Sequence, residues 1–168
     1  MYTTKDTTKK IFFMAVATVQ FIIGINASFA VAADDKHEAG KCSKEDAKAA
    51  VLKMCDIIEK KGDESLKDIQ SFRFCGDNYV WVQDSDLMMV IHPIKPKLNK
   101  TSLKENKDEN GKFLFVEFDK AAKSQANGGW VEYVWPKPKA EKATPKSSFV
   151  KMCPGPKKWI AGSGVWVD

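Results

Sequence analysis

Histidine and cysteine are the scarcest reactive side chains in this 168-residue chain, at two and four copies. His37 lies in a polar stretch. His92 ends the apolar run Leu-Met-Met-Val-Ile-His (87–92), just ahead of Pro93. A neutral imidazole there donates to an anion, and one with an ordinary pKa switches charge between about pH 5 and 8. The plainer alternative is a half-buried ring satisfied by backbone. Cys42, Cys55, Cys75 and Cys153 contain no Cys-x-x-Cys, so thioredoxin-like chemistry and c-type haem attachment are unsupported. Their long irregular gaps argue against a zinc site built from all four.

Rival chemistries lack parts. Asp84-Ser85-Asp86 is far shorter than an EF-hand loop. Gly162-Ser163-Gly164 carries only a fragment of a dinucleotide fingerprint and sits in a strand pattern, where glycine signals a bulge or close packing. Gly-x-Ser-x-Gly, His-Glu-x-x-His and a phosphate loop are all absent. A Ser147–His92 nucleophile pair would have no evident third orienting group. The chain is read as a non-enzyme without a cofactor.

The elements that must position these residues are legible. Ser43 with Glu45 and Asp46 reads as an N-cap and acidic first turn. Behind it Ala47, Ala50, Val51, Met54 and Ile58 recur at helical spacing until Gly62, which predicts a helix of about 18 residues. A shorter helix is predicted over 63–70. The period then changes to two: strands are predicted over 79–83 and 87–92, separated by the Asp84–Asp86 turn. A helix over 113–125 follows a polar loop and ends at Asn127-Gly128-Gly129. Strands over 130–135, 147–152 and 159–167 finish the chain, with a Lys/Pro-rich loop running to Lys146. One amphipathic helix across one face of a five-stranded antiparallel sheet buries this much apolar sequence, an α+β fold.

The first 33 residues read as an export signal. Lys5, Lys9 and Lys10 precede an apolar run from Ile11, and small residues at Ala30, Ala32 and Ala33 precede Asp34. Gln20, Gly24 and Asn26 interrupt that run, which falls short of a spanning helix. No later stretch of the mature chain is apolar enough to span a membrane. Residues 34–42 are a polar leader, and 43–168 form one domain. Removal of the signal takes the net charge from +5 to about +3, and with a single arginine the chain offers nucleic acid little. Export places the four cysteines in an oxidising compartment, where two structural bridges fit and three pairings are open.

Six segments occur in one order: Tyr79-Val-Trp-Val-x-Asp84, Met89-Val-x-His92-Pro93, Asn110-Gly-Lys, Gly129-Trp-Val-x-Tyr133-x-Trp135-Pro-x-Pro138, Pro145-Lys146-Ser-Ser-Phe-Val-Lys and Gly162-x-Gly164-Val-x-Val. Over roughly 44–168 this resembles a single Cache domain, the PAS-like extracytoplasmic sensor of bacterial chemoreceptors and histidine kinases, and most of all its small secreted stand-alone versions. The resemblance implies strand order 2-1-5-4-3, a long N-terminal helix on the back, and a pocket between the sheet front and the segments after strand 2. Short carboxylates such as acetate, propionate, lactate or pyruvate are implied as ligands. It implies a site of His92 and Lys146 as donors, Trp81, Tyr133 and Trp135 as aromatic walls, with Ser148 and Met89 beside them, Met89 more as packing than as contact. Phe149 stands where the family pattern has Tyr, which puts one ligand hydrogen bond in question. The same topology suggests Cys42 with Cys75 and Cys55 with Cys153.

The implied protein is periplasmic or secreted. It captures a small organic anion and has a membrane receptor or histidine kinase as its signalling partner, since the sequence stops after its last strand. An acid of about five or six heavy atoms can gain roughly 7–9 kcal/mol, enough for micromolar binding. Much of that must come from charge-assisted hydrogen bonds of about 1.5–3 kcal/mol each. Two alternatives stand beside this reading: an interaction module whose pocket is filled by its own aromatics, and a haem or metal binder using His92.

Overall fold

Ser43 opens the first helix. Its Oγ accepts the Asp46 N–H at 3.1 Å while the Asp46 carboxylate accepts the Ser43 N–H at 2.9 Å, a reciprocal capping box. The computed structural model describes residues 42–167. The export signal read over 1–33, and all of the 34–42 leader except Cys42, lie outside the described residues. From the cap, α1 (Lys44–Lys61) runs for 18 residues and stops where Gly62, at φ +56°, donates its N–H to Ile58 O. A 3-10 turn over Gly62–Glu64 leads into α2 (Ser65–Ser71), so the second helix begins slightly later than its sequence pattern suggests.

Five strands follow: β1 (Trp81–Asp84), β2 (Met89–Ile91), β3 (Gly129–Pro136), β4 (Ala143–Met152) and β5 (Trp159–Trp166), with α3 (Leu114–Ser124) between β2 and β3. They form one antiparallel sheet in the order β2-β1-β5-β4-β3, the expected fold class and topology. Period-two alternation sorts the side chains. Val82, Phe149 and Ala161 join Val51, Met54 and Ile58 of α1 on the back. Trp81, Tyr133 and Ile160 join Phe115 and Phe118 of α3 on the front.

Three departures from the sequence reading bear on the site. Tyr79 and Val80 precede the β1 ladder, and Tyr79 O accepts the Ser163 hydroxyl at 2.6 Å. β2 is three residues rather than six, because the loop behind it takes its hydrogen bonds: Met89 N–H donates to Thr101 O, and Met89 O accepts from Lys100. β4 starts at Ala143, so Lys146 lies inside a central strand, opposite Tyr133 on one side and Trp166 on the other.

Cys55 and Cys153 form a disulfide that ties α1 to the end of β4 across 98 residues of chain. The other expected bridge is not formed. Cys42 and Cys75 are free thiols, their sulfurs sharing a corner with the Asp46 carboxylate and lying within 4.8 Å of each other rather than at bonding distance. Among the described residues no helix is long and apolar enough to cross a membrane.

Candidate ligand-binding cleft

Lys146 dominates the electrostatics of the sheet front. Its side chain is 2% exposed, and its ammonium stands 3.9 Å from the Trp166 ring centre, 4.7 Å from Tyr79 and 5.7 Å from Trp81. Ring faces offer a cation their quadrupole. No carboxylate or other acceptor among the described residues pairs with it. Burial therefore pushes its pKa down from 10.5 to about 7.

His92 leaves the end of β2. Its backbone N–H donates to Asn99 Oδ1 at 2.7 Å, and its ring Nδ1 accepts the N–H groups of Ile94 and Lys95 at 3.3 and 3.0 Å. Because Nδ1 accepts, the ring proton sits on Nε2, the donor of a ring that packs among Tyr79, Trp81 and Trp135. Burial, then the charges of Lys146 and Lys95, push the His92 pKa down to about 3. The direction of that shift favours the neutral imidazole. Its geometry suits a fixed donor better than a charge switch between pH 5 and 8.

Around these two groups the walls are aromatic. Tyr79 lies 5.0 Å from the His92 ring, and its hydroxyl accepts Trp135 Nε1–H at 3.1 Å. Tyr133 OH and Ser148 Oγ are 3.0 Å apart. The indole Nε1–H of Trp81 is buried with no hydrogen-bond partner among the described residues. α3 closes the front: Phe118 packs 5.2 Å from Trp81 and 5.0 Å from Tyr133, while Phe115 meets Trp135 edge-on at 6.1 Å. Gln83 of β1 latches α3 by donating from Nε2 to Phe115 O at 3.1 Å. The cleft left between these rings is too tightly closed to admit a water molecule.

Trp81, His92, Tyr133 and Trp135 all line this cleft. Lys146 stands over two of its wall residues without lining the closed form. Ser148 reaches it only through Tyr133. Met89 packs on the front without touching the space. Two glycines make room for the site: a Cβ on Gly162 would collide with the Trp81 indole, and one on Gly164 with Ser148 Oγ. Phe149 faces α1 and packs 5.4 Å from Trp130 on the back, so the hydroxyl it lacks is not missing from this cleft. Sequence reasoning missed Tyr79, Phe118 and Lys95. Period-two spacing from Trp81 points to Tyr79, and Phe118 shares a face with Leu114, Ala121 and Ala122 at a spacing that predicts a helix and marks no site. Lys95, whose ammonium lies 4.3 Å from the Trp135 ring and whose pKa burial lowers, gave no signal.

Residues 20–168 match the family model described as Single Cache domain 2. The chain is 36% identical over 110 residues to the methyl-accepting chemotaxis protein McpP of Pseudomonas putida, covering 66% of this chain and 20% of that one. It is 29% identical over 119 residues to the sensor histidine kinase MctS of Rhizobium johnstonii, covering 67% and 25%. The chain thus matches a fifth to a quarter of the length of these relatives. A solved structure described as "Structural basis for carboxylic acid recognition by a Cache chemosensory domain" superposes with a TM-score of 0.62 at 33% identity, covering 72% of this chain and 86% of its own.

Proposed function

The chain belongs to the single Cache domain family, and from that premise we propose that it is an extracytoplasmic sensor protein that binds a short carboxylate of about two to four carbons. One observation carries the reading: a buried lysine, Lys146, has no acceptor among the described residues, and its ammonium stands beside the rings that form the cleft. The donors Nε2–H of His92 and Nε1–H of Trp81 belong to rings that line the same cleft. An uncompensated buried charge is costly, and a bound carboxylate relieves that cost while satisfying the idle donors. The cleft must open to take it, and α3 is the wall that can move, held to β1 through Gln83.

A solved domain of like fold is described as recognising carboxylic acids, which supports the ligand class. The relatives McpP and MctS support a role in signalling through a membrane receptor or kinase. The basic and apolar residues before Ala33 and the Cys55–Cys153 bridge support export to the periplasm or beyond. Isothermal titration against a panel of two- to four-carbon acids tests the reading. At least one acid is expected to bind, and Lys146→Ala or His92→Ala to weaken it about tenfold or more, the loss of one charge-assisted bond.

The tightness of the cleft favours a second reading, in which the rings of Trp81, Tyr133 and Trp135 fill the hollow for good and the domain acts by contact with another protein. Absence of heat or thermal shift with every acid selects it.

A further inference from the structure

Metal-binding groups gather away from the cleft, at the corner where α1 begins. Cys42 and Asp46 sit either side of the Ser43 cap, and Cys75 comes from the turn that precedes β1. The two sulfurs and a carboxylate oxygen all lie within 4.8 Å of one another. We propose that Cys42, Asp46 and Cys75 form a zinc site that clamps the start of α1 to the turn leading into Tyr79 and Trp81.

Ligand chemistry selects the ion. Two thiolates and one carboxylate suit zinc, whereas calcium and magnesium want oxygen alone. Tetrahedral zinc, with bonds of about 2.3 Å to sulfur and about 2.0–2.2 Å to oxygen, needs donor atoms roughly 3.5–3.8 Å apart. The cluster needs only to contract by about an ångström. A disulfide would need the sulfurs at about 2.05 Å and would have no use for the carboxylate beside them. The carboxylate is already oriented: Asp46 Oδ2 accepts the Ser43 N–H at 2.9 Å and the Ser43 hydroxyl at 2.8 Å, the kind of outer support that zinc-bound carboxylates have.

Three protein ligands leave a fourth position, and the corner opens on a groove of about 330 Å³ that includes Asp46, Cys75, Lys53 and Phe74. Water fills that position in the simplest case. Cys75 itself, at φ +43°, is followed by Gly76 at φ +82°, and this left-handed pair turns the chain back so that Phe74 bridges Asn78. Closing the three ligands on an ion fixes that turn, one residue before Tyr79.

The test uses the full mature protein, kept mildly reduced so that the buried Cys55–Cys153 bridge survives. Zinc(II) added alone is followed by competition with a chromophoric chelator, and cobalt(II) by its thiolate charge-transfer absorption. One equivalent of each is expected, with a rise in melting temperature. Asp46→Asn should weaken zinc at least tenfold, and Cys75→Ser should abolish the cobalt band. Both variants keep the Cys55–Cys153 bridge, and carboxylate titrations on them report separately on the cleft. Zinc affinity unchanged by Cys75→Ser overturns the site. So does a Cys42–Cys75 disulfide in protein isolated from an oxidising compartment.

Discussion

Lys146 sets stability against function at a single side chain. Its charge is buried without an acceptor, so Lys146→Met, of similar length and without the charge, should stabilise the ligand-free protein by roughly 1–2 kcal/mol in urea unfolding near pH 6. The same variant should lose the carboxylate. The pH dependence follows from the direction of the shift. The unfolded lysine holds its proton up to about 10.5, whereas the folded one releases it near 7. Between those values the unfolded state binds more protons, so the destabilisation from this buried charge is full below about pH 7 and is relieved as pH rises towards 10.5. Subtracting the Lys146→Met profile from that of the native protein isolates the slope, and carboxylate affinity should fall over the same interval. His92 adds no slope above about pH 6.5, where it is neutral both folded and unfolded. Both residues stood out in the sequence, one as an imidazole closing an apolar run and the other as a lysine in a family motif. What the sequence withheld was their protonation, because the burial that sets both, the Lys146 and Lys95 charges near His92, and the loop N–H groups of Ile94 and Lys95 that fix its tautomer are brought there only by folding.

Among the elements, β5 does the most to shape the front by what it lacks. Gly162 and Gly164 leave space that Trp81 and Ser148 occupy. Gly164→Ala should therefore cost about 1–3 kcal/mol by overpacking and weaken the acid through Tyr133, whose hydroxyl meets Ser148. Urea midpoints and titration of the variant check both effects. The two glycines were readable as close packing, and α1, capped by Ser43 and ended by Gly62, was readable to within a residue because its signals are local. β2 and β4 were not. β2 is short because residues 100–101 take hydrogen bonds its own sequence promised to the ladder. β4 is long because pairing with Val134 carries Pro145 into the sheet against its propensity. Loop 108–112 was legible only as polar. Its Asp108 carboxylate accepts the N–H groups of Lys112 at 2.8 Å and Val134 at 3.1 Å, which covers the outer edge of β3 and holds the loop before α3 in place.

At the scale of the molecule the sheet separates two jobs. The back is packed on α1 and cross-linked by Cys55–Cys153, which serves stability, and the front is the face to which the proposed function assigns recognition. Replacing both bridge cysteines with Ala should cost about 2–5 kcal/mol, since the bond closes a loop of 98 residues in the unfolded chain. Carboxylate affinity at a temperature where the variant stays folded should be unchanged, and a large loss would show that the two faces are coupled. The front has its own timing. A wall of interlocked rings with no space for solvent means that collision alone seats nothing; arrival must wait for the wall to breathe. On the proposed function, occupancy then follows the average supply of the acid over the breathing interval and not its briefest fluctuations, so the same close packing that dries the chamber would also smooth the signal passed on.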